Sequence, residues 1–207
     1  MEFTSANPSV VRSVKQRDLL NAWLRALGKR RTLPTLADYR PDRIAEELAD
    51  MMGYDVEGGG DTARFRITQE GSRLTATYGI EHIDPDKRTN RYLDDVIGPA
   101  RYARVVPSYR ACLEHKRSTY SVSLVQDADG KDVSYERLLL PFGSAGDVEQ
   151  IVGSFNAISI EGGFKINNLM GIKSKATPVS VINAVIDLDF ARGAAGHNMA
   201  DDVIELS

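Results

Sequence analysis

The chain has 207 residues, of which 42% are hydrophobic and 27% charged, and its formal net charge is −3. This is the balance of a globular protein with enough apolar residues for a core, and the length favours one domain with extensions over two full domains. A weakly acidic chain argues against broad nucleic-acid binding, because that function requires a basic face.

The remaining compositional signals favour a cytoplasmic protein without a membrane partner. Cys112 is the single cysteine, so a disulfide within the chain is excluded. No apolar run approaches the roughly 20 residues that a membrane-spanning helix needs. The N-terminus has no apolar core of the kind that signal peptides carry.

Two helices are predicted in the first quarter of the chain, after a flexible segment over residues 1–12. The first runs from Ser13 to Leu27 and ends at Gly28, and the second runs from Pro41 to Met52 and ends at Gly53. Apolar residues of the first helix recur at three- and four-residue spacing, and such a face needs an apolar cover. We therefore expect a dimer or partner surface at Leu20, Trp23, Leu24 and Leu27.

The middle of the chain alternates extended and helical patterns. A strand is expected from Ala63, followed by a turn at Glu70-Gly71 and a second extended segment that reaches Gly79. Residues 100–116 then show a helical pattern, in which Pro107 should produce a kink or mark the first turn.

A strand pair is predicted around the acidic stretch "QDADGKD", which opens at Gln126. An EF-hand calcium loop is disfavoured, because Lys131 would occupy the fifth ligand position and Leu138 the twelfth. Asp129-Gly130 is instead a strong signal for a two-residue type I′ turn. The flanking segments are rich in β-branched and aromatic residues, and we expect antiparallel strands at 119–126, 133–142 and 149–160.

The C-terminal tail is ambiguous. Its apolar segment, residues 179–190, has both a helical and an extended interpretation, and it could dock on the preceding domain, pair with another chain or remain disordered. The element order predicts an α+β fold. The expected organisation is a flexible N-terminus (1–12), flanking helices (13–53), a core domain (54–162) and a C-terminal extension (163–207).

Three motifs in this order resemble a PAS domain, and specifically a stand-alone PAS-type family common in alphaproteobacteria. They are "LLNAWLRALGKRRTLPTLADYRPDRIAEEL" from Leu19, "ARFRITQEGSRLTATYG" from Ala63 and "YERLLLPFGSAGDVEQIVGSF" from Tyr135. The resemblance covers about residues 17–160, and it departs from the family at residues 69–72, where Gly-Thr is usual. It implies a PAS-like five-stranded antiparallel sheet with helices on one face. It also implies a ligand cleft between sheet and helices, and partner contacts through the sheet or a flanking helix.

The first candidates for a ligand pocket are Tyr109, Leu113, Tyr120 and Arg137. A phenol combines an apolar body with a polar tip, which suits a ligand pocket, although core tyrosines with satisfied hydroxyls are the commoner case. Strand alternation places Arg137 and Glu136 on opposite faces. Exposure to solvent is the favoured interpretation of both charges, with a structural ion pair or a ligand contact as alternatives.

No haem, flavin or metal signature is present, so the cofactor is left unknown. His115 lies at a charged helix end, Cys112 lacks the context of a flavin site, and the three histidines are scattered. We therefore predict a non-catalytic sensory or regulatory module of the PAS type in signal transduction. It would bind a small ligand, a signalling partner or both, as a homodimer. A ligand-free structural adaptor is the alternative, and a small-molecule enzyme on a cleft fold is a third hypothesis.

Overall fold

A computed structural model describes residues 2–28, 32–42, 47–74, 77, 91–144, 146–167, 169–170 and 177–187. The helices are α1 (Val14–Leu27), α2 (Leu93–Ile97) and α3 (Pro99–His115). The strands are β1 (Thr4–Ala6), β2 (Met51–Glu57), β3 (Arg64–Glu70), β4 (Arg91–Tyr92), β5 (Thr119–Gln126), β6 (Asp132–Phe142), β7 (Gln150–Ile158) and β8 (Val179–Ile186). Among the helices in these ranges, none combines the length and apolar character that a bilayer crossing requires.

All the described strands join one sheet in the order β1-β8-β5-β6-β7-β2-β3-β4. Neighbouring strands are antiparallel, except that β1 runs parallel to β8. The contiguous block β3-β2-β7-β6-β5 is antiparallel throughout, which agrees with an α+β fold built on a mostly antiparallel sheet. The sheet is nevertheless larger than expected, because β4 extends one edge of that block and β8 with β1 extends the other.

The sheet is covered by helices on both faces. Side chains alternate along β6, so that Tyr135 and Leu139 pack with α3 while Leu138 and Leu140 pack with α1. We call these sides the α3 face and the α1 face. The core is therefore split into two apolar layers with the sheet between them, whereas helices on one face alone were expected.

Helix α1 closes the α1 face within its own chain. It begins after Ser13, whose hydroxyl accepts a hydrogen bond from the Gln16 backbone N–H at 3.4 Å, and it ends at Gly28 with φ +55°. These bounds confirm the sequence prediction. The indole N–H of Trp23 donates to the Pro141 carbonyl oxygen at 2.8 Å, and the side chain is fully buried.

The four residues predicted to form a partner surface thus have a different environment from the one expected. Leu20, Trp23 and Leu27 are buried against the sheet, and Leu24 is half-buried. The amphipathic face does need an apolar cover, but β6 and its neighbours in the same chain provide it.

Two predictions for the segment around β2 and β3 are wrong. The helix expected to reach Met52 gives way to β2 at Met51, and Gly53 lies inside that strand instead of ending a helix. Met51 belongs to the α1-face core and Met52 to the α3-face core, which is the alternation of a strand buried on both faces. The second extended segment is also absent where the structure describes it, because Leu74 and Thr77 are helical.

The predicted hairpin of β5 and β6 is confirmed, with pairing from Thr119 opposite Leu139 to Gln126 opposite Asp132. The turn type is wrong. Five residues connect the strands, and only Gly130 among them has a positive φ, at +84°. The buried Asp127 carboxylate organises the loop, since it accepts backbone N–H bonds from Asp129, Lys131 and Lys165 at 2.8–2.9 Å.

The two ends of the described chain meet at one edge of the sheet. Val179–Ile186 is extended and pairs with β5, which decides between the two interpretations of that segment. Thr4–Ala6 pairs in turn with Ala184–Ile186, so part of the N-terminus predicted to be flexible is a strand. The sheet therefore crosses the expected boundaries at residues 12 and 162.

Candidate functional site

An open cleft of about 280 Å³ lies beside the last part of β7, next to the point where β2 begins. Strand β7 pairs with β2 only as far as Ser154, which lies opposite Met51, whereas it pairs with β6 out to Ile158. The last part of β7 therefore faces the chain segments before β2 and after β3 instead of a neighbouring strand. This gap in the sheet creates the cleft.

The floor of the cleft is aromatic and apolar. The rings of Tyr135 and Phe155 lie 6.3 Å apart between centroids, and both side chains are almost fully buried. Leu74, which follows the turn after β3, adds a buried aliphatic wall. Asn156 and Ala157 of β7 line the same space.

The mouth of the cleft carries paired charges. Arg73 binds Asp50 with two parallel hydrogen bonds, one of them from Nε to Oδ1 at 2.8 Å, and this contact raises the pKa of the Arg73 guanidinium. Lys15 of α1 lies 3.3 Å from the carboxylate of Glu47. Both cations that line the cleft are therefore matched by carboxylates in the same chain.

Backbone contacts fix the position of Arg73. The Gly71 N–H donates to the Met51 carbonyl at 2.8 Å, and the Arg73 N–H donates to the Ala49 carbonyl at 3.0 Å. The two segments approach so closely at Gly71 that any side chain there would overlap the carbonyls of residues 48 and 49. The geometry of the cleft mouth thus depends on a glycine.

The structure does not bring the four predicted pocket residues together. Tyr109 and Leu113 lie in the α3-face core and Tyr120 in the α1-face core. Arg137 lies on the α3 face, with its guanidinium carbon 5.9 Å from the Phe155 ring centroid. None of the four is among the described residues that line the cleft, although Arg137 stands next to its aromatic floor.

The hydroxyl of Tyr109 has a structural partner. It donates to the Tyr54 hydroxyl at 2.8 Å, and the two rings meet edge to face with centroids 5.2 Å apart. Tyr109 is thus a core tyrosine with a satisfied hydroxyl, which is the alternative that the sequence left open.

Strand alternation correctly assigns Glu136 and Arg137 to opposite faces, but their expected exposure to solvent is wrong. Glu136 is 1% exposed and Arg137 is 8% exposed. Both are buried because helices or loops cover each face of the sheet, and this cover is not encoded in the alternation of one strand.

No local sequence pattern identifies the charged residues of the cleft. Asp50 and Arg73 are 23 positions apart, and Asp50 was assigned to the interior of a helix. Lys15 comes from a third segment, so no local motif contains these residues together. Within the described part of the chain, no group of three or more His, Cys, Asp or Glu residues is placed to hold a metal ion.

The structural comparison gives a weak likeness to a solved protein. No protein-family model matches the chain, and no curated protein matches it. A solved structure of a variant of RsLOV, a LOV protein, aligns with 59% of this chain and 72% of its own, at 13% sequence identity and a TM-score of 0.38. A TM-score this low does not by itself establish a shared fold.

Proposed function

We propose that the chain is a non-catalytic cytoplasmic sensory or regulatory module of the PAS type, which binds a small molecule in the cleft and signals to a protein partner as a homodimer. Two independent lines support the PAS assignment. One is the set of sequence motifs, and the other is the block β3-β2-β7-β6-β5, with α2 and α3 inserted between β3 and β5.

The open volume of the cleft is the observation that carries the ligand-binding part of the proposal. A structural adaptor without a ligand would be expected to fill this space with side chains, yet about 280 Å³ is open. Ligand pockets usually measure roughly 300–1,000 Å³, so the occupant would be of small-metabolite size.

The lining defines the chemical class of that ligand. Tyr135 and Phe155 offer a surface for a planar or aliphatic body, and Asn156 offers a donor and an acceptor. Arg73 and Lys15 at the mouth are each paired with a carboxylate, so the polar mouth offers hydrogen bonds and no unmatched charge. We therefore infer a small molecule with an apolar body and one hydrogen-bonding end.

An enzyme is the weaker hypothesis for this cleft. Ionisable side chains do line it, but Asp50 and Arg73 are bound to each other and the contact raises the pKa of the guanidinium. An arginine held in this way cannot act as a proton donor near neutral pH. This pairing supports a structural role for both residues at the mouth of the cleft.

Native mass spectrometry of the gently purified full chain tests the proposal. We expect additional mass in the native spectrum that is lost on denaturation, and a native mass that corresponds to two chains. Ala157→Leu, which places extra side-chain volume in the cleft, should remove the additional mass. Val14→Ala should retain it, because Val14 is 68% exposed on α1 and does not line the cleft.

Two results would contradict the proposal. If native and denatured masses agree for the wild type over several gentle preparations, ligand binding fails and the structural adaptor is favoured. If the additional mass persists in Ala157→Leu, the ligand is bound elsewhere. A native mass of a single chain would contradict the homodimer.

A further inference from the structure

A carboxyl group is buried between helix α1 and the sheet. Glu136 lies on the α1 face of β6, opposite Val122 of β5 and Asn156 of β7. Its side chain is 1% exposed, and the first turn of α1 covers it with Ser13 and Gln16, which are 7% and 1% exposed. Ionised carboxylates are rarely buried to this extent without a matched cation.

The groups around this carboxyl only partly satisfy it. The Tyr120 hydroxyl and the Ser13 backbone N–H donate to it, and the charge of Arg12, just before α1, acts on it. Its second oxygen, Oε2, has no hydrogen-bond partner among the described residues. On the β7 side the neighbours are the uncharged Ser154 and Asn156.

Gln16 adds a second unmatched acceptor to the same interface. Its amide nitrogen donates to the carbonyl oxygens of Ser154 at 2.9 Å and Glu136 at 3.4 Å, while its Oε1 has no partner within the described part of the chain. The next cation on α1, Lys15, is paired with Glu47. An ionised Glu136 would therefore add negative charge to an interface where the Gln16 Oε1 acceptor already lacks a donor. A protonated Glu136 would instead supply a hydrogen-bond donor.

We propose that protonated Glu136 holds α1 on the sheet and that its ionisation releases the helix. Release would uncover the apolar side of α1, with Leu20, Trp23 and Leu27, and the sheet residues beneath it. This is the surface that the sequence pattern predicted for a partner, so it would become available only in the released state. The inference does not depend on a ligand in the cleft.

The direction of the pH response follows from the surroundings of Glu136. Burial raises the pKa of its carboxyl above the ordinary 4.5, and the Tyr120 hydroxyl, Arg12 and the Ser13 N–H oppose this only in part. A raised pKa in the docked state means that docking is fully stabilised below the ordinary pKa and is weakened as pH rises through the raised one. Between the two values, the undocked fraction should rise about tenfold per pH unit.

Trp23 is the single tryptophan of the chain, so its fluorescence reports the docking of α1 directly. The full chain would be titrated from about pH 5 to about pH 9, a range that includes the pKa values documented for buried glutamates. Tryptic cleavage after Lys15 and Arg17 would be measured at each pH. We expect Trp23 emission to move to longer wavelength and cleavage to accelerate as pH rises.

Glu136→Gln is the matched variant, because it keeps the shape and the hydrogen bond from Tyr120 but cannot ionise. Both readouts should be independent of pH in this variant, after normalisation for the activity of trypsin. An equal pH response in wild type and variant would overturn the proposal, and so would a wild type with no response over the range.

Arg12→Gln keeps the proposal testable if Glu136→Gln does not fold, as judged by circular dichroism. Arg12 is exposed, and its charge favours the ionised carboxyl. Its removal destabilises the docked state with an ionised Glu136, so the undocked fraction at high pH should rise, without a change at low pH where Glu136 is protonated. An undocked fraction at high pH that is equal to or smaller than that of the wild type would contradict the assignment of the transition to Glu136.

Discussion

Replacement of Trp23 by alanine should lower the free energy of unfolding by about 4–6 kcal/mol. Truncation of a fully buried tryptophan costs about 3–5 kcal/mol through lost burial and the cavity that remains, and Trp23 is fully buried. The buried Pro141 carbonyl also loses the indole N–H at 2.8 Å, which adds about 1 kcal/mol. Since single domains are stable by only about 5–15 kcal/mol, the variant should lie close to its unfolding limit.

Urea unfolding followed by far-UV circular dichroism is the suitable assay, because the variant has no tryptophan to report fluorescence. Val14→Ala on the same helix is the control. Its side chain is 68% exposed, and the change should stay within about 0.5 kcal/mol. If Trp23→Ala costs less than about 1 kcal/mol, α1 does not pack on the sheet as described, and the argument for the α1-face core is refuted.

Two further predictions concern loops. Gly71→Ala should destabilise the protein by about 1–3 kcal/mol in urea unfolding, because the added Cβ would overlap backbone carbonyls. Gly59→Ala is the control and should be nearly neutral, because nothing lies within 4 Å of a Cβ at that position. Equal losses of stability in the two variants would contradict the close approach at residue 71. Asp127 accepts three backbone N–H bonds, of which the bond from Lys165 has the largest effect. Together they hold the pKa of its carboxyl below the ordinary 3.8. The stability that the Asp127 carboxylate provides is present above the ordinary pKa and is lost as pH falls through the lowered pKa. The melting temperature should therefore fall more steeply with acid in the wild type than in Asp127→Asn. Parallel plots of melting temperature against pH for the two proteins would contradict this prediction.

Local patterns were sufficient for several elements. The bounds of α1 follow from a serine before the apolar stripe and a glycine after it. The helical pattern over residues 100–116 predicts α3 to within one residue at each end. The strands β5, β6 and β7 follow from composition and from the turn residues between them. In each case the signal lies within one segment and does not depend on what packs against it.

The strands β2 and β8 could not be predicted from local patterns alone. β2 has apolar residues on both sides, so it lacks the alternation that identifies a strand, and its methionines also fit a helical spacing. β8 was equally ambiguous, and its extended conformation follows from pairing with β5, more than 50 positions earlier in the chain. Strand pairing of this kind is decided by long-range contacts.

The site shows the same division most clearly. Alternation along β6 was enough to place Glu136 and Arg137 on opposite faces, and the amphipathic stripe was enough to show that α1 needs an apolar cover. These patterns could not show that α1 covers the face of β6 that carries Glu136. Gln16 and Glu136 are 120 positions apart, and they touch only because α1 docks on the sheet. The pairing of Asp50 with Arg73 likewise arises from a close approach at Gly71. Burial of a charge is a property of what covers it, and only the tertiary structure decides which segment provides the cover.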